Sequence, residues 1–178
     1  GGLGERGDKI YGVTTGIGEL ASVFLTPEKG LELQKKIIYS HSASYGEEIP
    51  QEEVRAAMAS RSNVWAKGHS GLRYETALTY LEMLNRGVVP VVYEKGSVGC
   101  SGDLSPLSQI AEVVIGDGTA VYAGEKLPGR EAMLRAGLEP VEPTLKEGLA
   151  LINGTQLMVG QMCLLLHDSR DIIKNSII

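Results

Sequence analysis

The sequence predicts a mainly helical protein with a glycine-rich, irregular N-terminal region and a few short strands. Three observations lead there. Of 178 residues, 43% are hydrophobic and 22% charged, a globular balance, yet only 5% are aromatic. A core so poor in rings must be filled by Leu, Ile, Val, Ala and Met, which suit helices better than a β-sandwich. Apolar residues recur at helical spacing along much of the chain. Of the 23 glycines, ten gather near 12–18, 96–102 and 116–129, marking irregular backbone between the helical stretches.

Taken in order, Tyr11-Gly12-Val13-Thr14-Thr15-Gly16-Ile17-Gly18 predicts a loop. Leu31, Leu33, Ile37 and Ile38 predict a first helix, with His41 at its C-terminal end, where a histidine interacts favourably with the dipole. Gln51 to Lys67 carries Val54, Ala57, Met58, Arg61 and Trp65 along one side. Tyr74, Ala77, Leu78, Leu81 and Leu84 form a cleaner stripe that stops at Gly87. Val88 to Tyr93 and Ala120 to Tyr122 read as short extended pieces. Leu104, Leu107, Ile110, Ala111 and Val114 predict a helix that starts almost on the second glycine cluster, with Asp103 or Ser105 before Pro106 as its start signal. Lys146 to Lys174 predicts one long helix, apolar over much of its circumference and so buried among others. Its apolar stretch, Leu149 to Leu166, includes the amides of Asn153, Gln156 and Gln161. In lipid each unpaired amide would cost about 4 kcal/mol or more, so the stretch reads as a buried helix and not a membrane span.

A net charge of -5 with no clustered basic stripe argues against a nucleic-acid partner. Two cysteines, Cys100 and Cys163, and no apolar targeting region make a disulfide scaffold improbable and a reducing cytoplasm the expected compartment. His41, His69 and His167 lack ligand spacing, so no metal site is expected. Gly16-Ile17-Gly18 lacks the third glycine of a dinucleotide fingerprint. Asn153-Gly154-Thr155 matches a glycosylation acceptor, but in an apolar helix with no secretory signal.

Gly99-Cys100-Ser101-Gly102-Asp103 is the segment richest in chemistry. A nucleophile elbow fails, because Asp103 stands where its last glycine belongs. A Cys100 nucleophile would need a positioned histidine and an electropositive setting. The plain reading is a glycine turn feeding a helix N-terminus. A fourth reading uses residue order: in a tight bend the Gly102 amide nitrogen reaches the Cys100 carbonyl carbon, unobstructed because glycine has no Cβ. Closure with loss of water, then loss of the Ser101 hydroxyl as a second water, turns the tripeptide into an imidazolone bearing an electrophilic methylidene. A helix starting at Asp103 favours negative charge developing beside that ring.

The run from Gly96 to Gln109, Gly-Ser-Val-Gly-Cys-Ser-Gly-Asp-Leu-Ser-Pro-Leu-Ser-Gln, strongly resembles the signature of the histidine and aromatic amino acid ammonia-lyases. Their self-made methylidene-imidazolone (MIO) comes from Ala-Ser-Gly; here Cys100 takes the first place. The Tyr11 to Gly18 loop is similar to the one carrying the family's catalytic tyrosine, with Thr14 for the common Asn and Ile17 for the usual aromatic residue. Ser40-His41-Ser42-Ala43 resembles the substrate-selectivity stretch, Glu147 to Gln156 the asparagine motif, and Ala66 to Arg73 adds to a likeness that spans almost the whole chain.

The resemblance implies a fragment of the histidine/phenylalanine ammonia-lyase fold. On that reading, 1–178 is a single partial domain that bears the MIO group and lacks the central helical bundle. It implies MIO formed autocatalytically from Cys100, Ser101 and Gly102, with no external cofactor. Tyr11 becomes the general base that removes a β-proton, a step worth about 10² to 10⁴ in rate. Asn153 becomes a hydrogen-bonding partner of the prosthetic group or the substrate carboxylate, and the Ser-His pair at His41 favours histidine as substrate. The implied reaction is elimination of ammonia from an L-amino acid, L-histidine to urocanate. The implied assembly is a cytoplasmic homotetramer, or this chain with a partner supplying the missing part. An MIO-dependent aminomutase and a non-catalytic remnant or interaction subunit are the alternatives.

Overall fold

The computed structural model describes residues 10–11, 14–22, 26–99, 102–144 and 146–177. Helix α1, Pro27–His41, starts where the Thr26 hydroxyl accepts the Lys29 amide. Strand β1, Tyr45–Glu48, leads to α2, Gln51–Trp65, and α3, Tyr74–Arg86, which ends on Gly87 in the left-handed conformation, as its sequence predicts. Strand β2, Val89–Pro90, falls within the extended piece expected at Val88 to Tyr93, whose last residue opens β3, Tyr93–Lys95. Then come α4, Leu104–Val114; β4, Thr119–Tyr122; β5, Glu125–Pro128; α5, Gly129–Arg135; α6, Glu147–Ile152; and α7, Gln156–Ile177. The pairing of these five strands is antiparallel. β1 pairs with β3, while β4 lies between β2 and β5 and turns into β5 through Ala123 and Gly124, both at positive φ, as a two-residue hairpin requires.

The core is the aliphatic and methionine interior that the composition demands: Ile38, Val54, Met58, Met83, Leu107, Ile110, Met133 and Ile152 are all fully buried. Each such side chain contributes roughly 1.5–3 kcal/mol. Two rings join them, Trp65 meeting Tyr80 edge to face at 4.7 Å. Helix α4 runs through the centre and is buried on nearly every side. Its polar residues are therefore paired: Ser108 donates to the Leu104 carbonyl, and Gln109 accepts the Tyr93 amide and donates to the Ser44 carbonyl.

The single long helix expected from Lys146 to Lys174 is instead two helices. Asn153 adopts extended backbone (φ -91, ψ 114) and ends α6, and α7 restarts at Gln156. The polar groups freed by the break find partners far along the chain. The Ala150 carbonyl accepts Arg61 Nη2 and Trp65 Nε1, and the Met158 amide donates to the Asp103 carboxylate. Nor is the stretch buried throughout. α7 packs along α2, where a Cβ on Gly160 would lie 2.6 Å from the Ala57 nitrogen, but Met162, Leu165, Leu166, Ile172, Ile173 and Ile177 face outward. By length and composition alone, Glu147–Ile177 is apolar enough to cross a membrane, with mean hydropathy 1.5 over its most apolar window. Its first half is seated on protein, against α1, α2 and α4.

Glu147 locks the start of α6. Its carboxylate is buried and accepts the Arg73 amide and guanidinium and the Thr76 hydroxyl, together with the amide and hydroxyl of Thr144. Burial pushes this carboxyl up, but the Arg73 and Thr hydrogen bonds outweigh it and hold it down at about 2.

Candidate active site

Two glycine contacts set the centre of the site. Gly102 has φ +120, a region essentially closed to side-chain-bearing residues, and a Cβ there would lie 2.8 Å from both the nitrogen and the oxygen of Gly154. The neighbouring backbones are joined by the Asp103 amide, which donates to the Gly154 carbonyl at 2.6 Å. The loop before α4 and the break between α6 and α7 are thus pressed together, with Asn153 one residue from the contact. Asn153 is exposed, and among the described residues its side-chain amide makes no hydrogen bond, so it is free for a ligand. Cys100 and Ser101, the other two members of the triad, lie outside the described residues, as do Gly12 and Val13 beside Tyr11.

Asp103 stands at the N-cap position of α4, where the sequence places a start signal, but its side chain does not cap that helix. Fully buried, it accepts the Ser97 hydroxyl on one oxygen (2.9 Å) and the Met158 amide on the other (3.0 Å). It therefore caps α7 instead, and ties Ser97 to it. A cleft of about 500 Å³ opens beside this tie, lined by Ser97, Val98, Gly99, Asp103 and Met158 among others.

His41 is the last residue of α1, as expected. Its Nδ1 lies 2.8 Å from the Ile37 carbonyl. A carbonyl can only accept, so Nδ1 carries the hydrogen and Nε2 is left for another partner. The chain just after it is fixed to the first turn of α4: the Ala43 amide donates to the Ser105 hydroxyl, which also bonds the Ser44 hydroxyl at 2.7 Å. Helix α4 therefore carries Gly102 and the His41 turn at the same end. Tyr11 is half exposed, and its hydroxyl accepts the Gly18 amide within its own loop (2.9 Å). Among the described residues that bond does not bring Tyr11 to the Gly102–Gly154 pair.

Arg61 is a site neighbour whose role the sequence does not show. It is only 3% exposed, donates to Ala150 and Gln156, and lies with the Gln156 amide oxygen where a Cβ on Gly154 would fall. Burial pushes its guanidinium down to about 10. The available signal was a charged residue inside an apolar helical stripe.

Residues 3–178 match the family described as aromatic amino acid lyase. The histidine ammonia-lyase of Caldanaerobacter subterraneus subsp. tengcongensis is 50% identical over 95% of this chain and 33% of its own length. Phenylalanine aminomutase of Pantoea agglomerans superposes with TM-score 0.93 at 36% identity, over 98% of this chain and 33% of that one. Histidine ammonia-lyase of Trypanosoma cruzi gives 0.81 at 39%, over 89% and 31%. The chain spans about a third of the length of the curated relatives it matches. With a profile covering nearly every residue and a mainly helical fold shared with solved members, the chain belongs to the aromatic amino acid lyase family.

Proposed function

We propose that this chain supplies the MIO-bearing part of an ammonia-lyase that eliminates ammonia from L-histidine to give urocanate. The observation that carries the reading is the contact of Gly102 with Gly154. It supports the reading because Gly102, whose nitrogen would close the ring, abuts the residue that follows Asn153, the polar group proposed to serve it. The described residues fit that group. A bare Cα is required at Gly102 by both its φ and its neighbour, and α4 begins two residues after Gly102, so its positive end lies beside that glycine. Cys100, Ser101 and Gly102 would form it, and when formed it supplies an electrophile that no ordinary side chain offers.

The remaining work falls to this chain's own side chains. Tyr11, acting as the phenolate, takes the β-proton of the substrate onto its oxygen and becomes the neutral phenol as the Cα–N bond breaks, so that a C=C bond and ammonia result. The Asn153 amide hydrogen-bonds the substrate carboxylate or the prosthetic group. His41 offers Nε2 to the substrate side chain, its ring orientation fixed from behind by Ile37. The proposed assembly is a cytoplasmic homotetramer, or this chain with a partner, and the outward apolar face of α7 supports burial against another subunit.

The superposition on a phenylalanine aminomutase supports a second reading, in which the amino group is returned to the substrate and not released. Incubating the assembled enzyme with L-histidine, L-tyrosine and L-phenylalanine separates the two. Free ammonia with urocanate supports the lyase, a β-amino acid supports the aminomutase, and neither product from folded protein of unaltered mass points to a non-catalytic subunit. Ser101→Ala is expected to abolish turnover.

A further inference from the structure

The break between α6 and α7 is spanned by a buried cation that the proposed reaction does not use. Arg61 sits in the buried stripe of α2, its charge offset by no carboxylate among the described residues, and its Nε has no hydrogen-bond partner there. Burying a guanidinium that way is costly, so the contacts it does make have to repay it. One nitrogen donates to the Ala150 carbonyl in the last turn of α6, the other to Gln156 Oε1 at 2.5 Å, in the first residue of α7. The Trp65 ring, 5.2 Å from the guanidinium carbon, backs the fork. Arg61 and Gln156 together wall the space beside Gly154, and Gly154 abuts Gly102.

We propose that Arg61 is a positioning residue. By joining Ala150 to Gln156 it holds Asn153 and Gly154 in one place against Gly102 and so aims the Asn153 amide. A planar fork with fixed donors suits two acceptors on two helices, which a lysine ammonium on a flexible stem does not reproduce. The inference rests on the role given above to Asn153, since misplacing a site group by about 1 Å costs about 10²-fold in rate.

The test uses Arg61→Lys and Gln156→Leu in the assembled enzyme. The first keeps the buried charge and the second keeps Arg61 in place, so the question is answered even where one of them fails to fold. Amide hydrogen exchange at residues 153–155 is expected to quicken by about tenfold or more in both, with the rates in α4 unchanged. In the same variants kcat for L-histidine is expected to fall about tenfold or more, with KM within about threefold of wild type. Unchanged exchange at 153–155 in a folded variant overturns the proposal. So does a lowered melting temperature with unchanged kcat, which marks a merely structural residue. Wild-type enzyme that releases no ammonia sinks the lyase reading alone, and the exchange rates still decide whether Arg61 holds the break.

Discussion

Asp103 and Met158, 55 residues apart in sequence, are joined by a 3.0 Å bond from the amide opening α7 to a carboxylate at the head of α4. The carboxylate is inaccessible to solvent, and its other oxygen is taken by Ser97. Asp103→Ala therefore leaves the part-buried Met158 amide and the Ser97 hydroxyl without their acceptor, and is expected to lower unfolding free energy by about 1–2 kcal/mol. Asp103→Asn keeps one acceptor and should lose less. Urea denaturation of both variants measures the difference, and equal stability of the alanine variant and wild type would refute the cap.

Gly102 and Gly99 make a controlled pair. Both have positive φ, but among the described residues a Cβ at Gly102 has a neighbour in the way while one at Gly99 has none. Gly99→Ala is expected to cost about 1–2 kcal/mol, the ordinary penalty of the left-handed region. Gly102→Ala adds a clash with backbone and should cost more than about 3 kcal/mol. Thermal melts of the two variants rank them.

Acid should unlock the start of α6. The Glu147 carboxyl is depressed from 4.5 to about 2, so its contribution is complete above about pH 4.5 and lost as pH falls toward 2. That contribution is about 3 kcal/mol at most. Stability measured from pH 6 down to 2 should drop more steeply in wild type than in Glu147→Gln, which is less stable at pH 6 and converges with wild type at low pH.

At His41, replacing the ring removes the free Nε2 while α1 still ends in the same place. His41→Leu is expected to lower kcat/KM for L-histidine by about tenfold or more in the assembled enzyme, with little change in melting temperature. Steady-state kinetics with histidine and phenylalanine side by side check that the loss falls on histidine.

Much of this arrangement is legible in the residues themselves. The stripes from Val54 to Trp65 and from Tyr74 to Leu84 mark helices because their apolar period matches one buried face, and Gly87 ends the second for lack of a Cβ. The break at Asn153 is not legible from period, because apolar residues continue in phase on both sides. The Asn153-Gly154 dipeptide, a turn signal, was the clue that the periodicity overrode. Asp103 reads as a cap for the helix that follows it, since local spacing carries no trace of a partner 55 residues away. Arg61 on an apolar stripe is likewise ambiguous until Ala150 and Gln156 are seen against it.

Intact-mass spectrometry of the assembled enzyme addresses the central claim most directly. Closure between Gly102 and Cys100, followed by loss of the Ser101 hydroxyl, predicts a wild-type chain lighter than its sequence by two molecules of water, and a Ser101→Ala chain that is inactive and never reaches that mass. A wild-type chain of unaltered mass in folded protein that still releases ammonia from L-histidine would contradict the account.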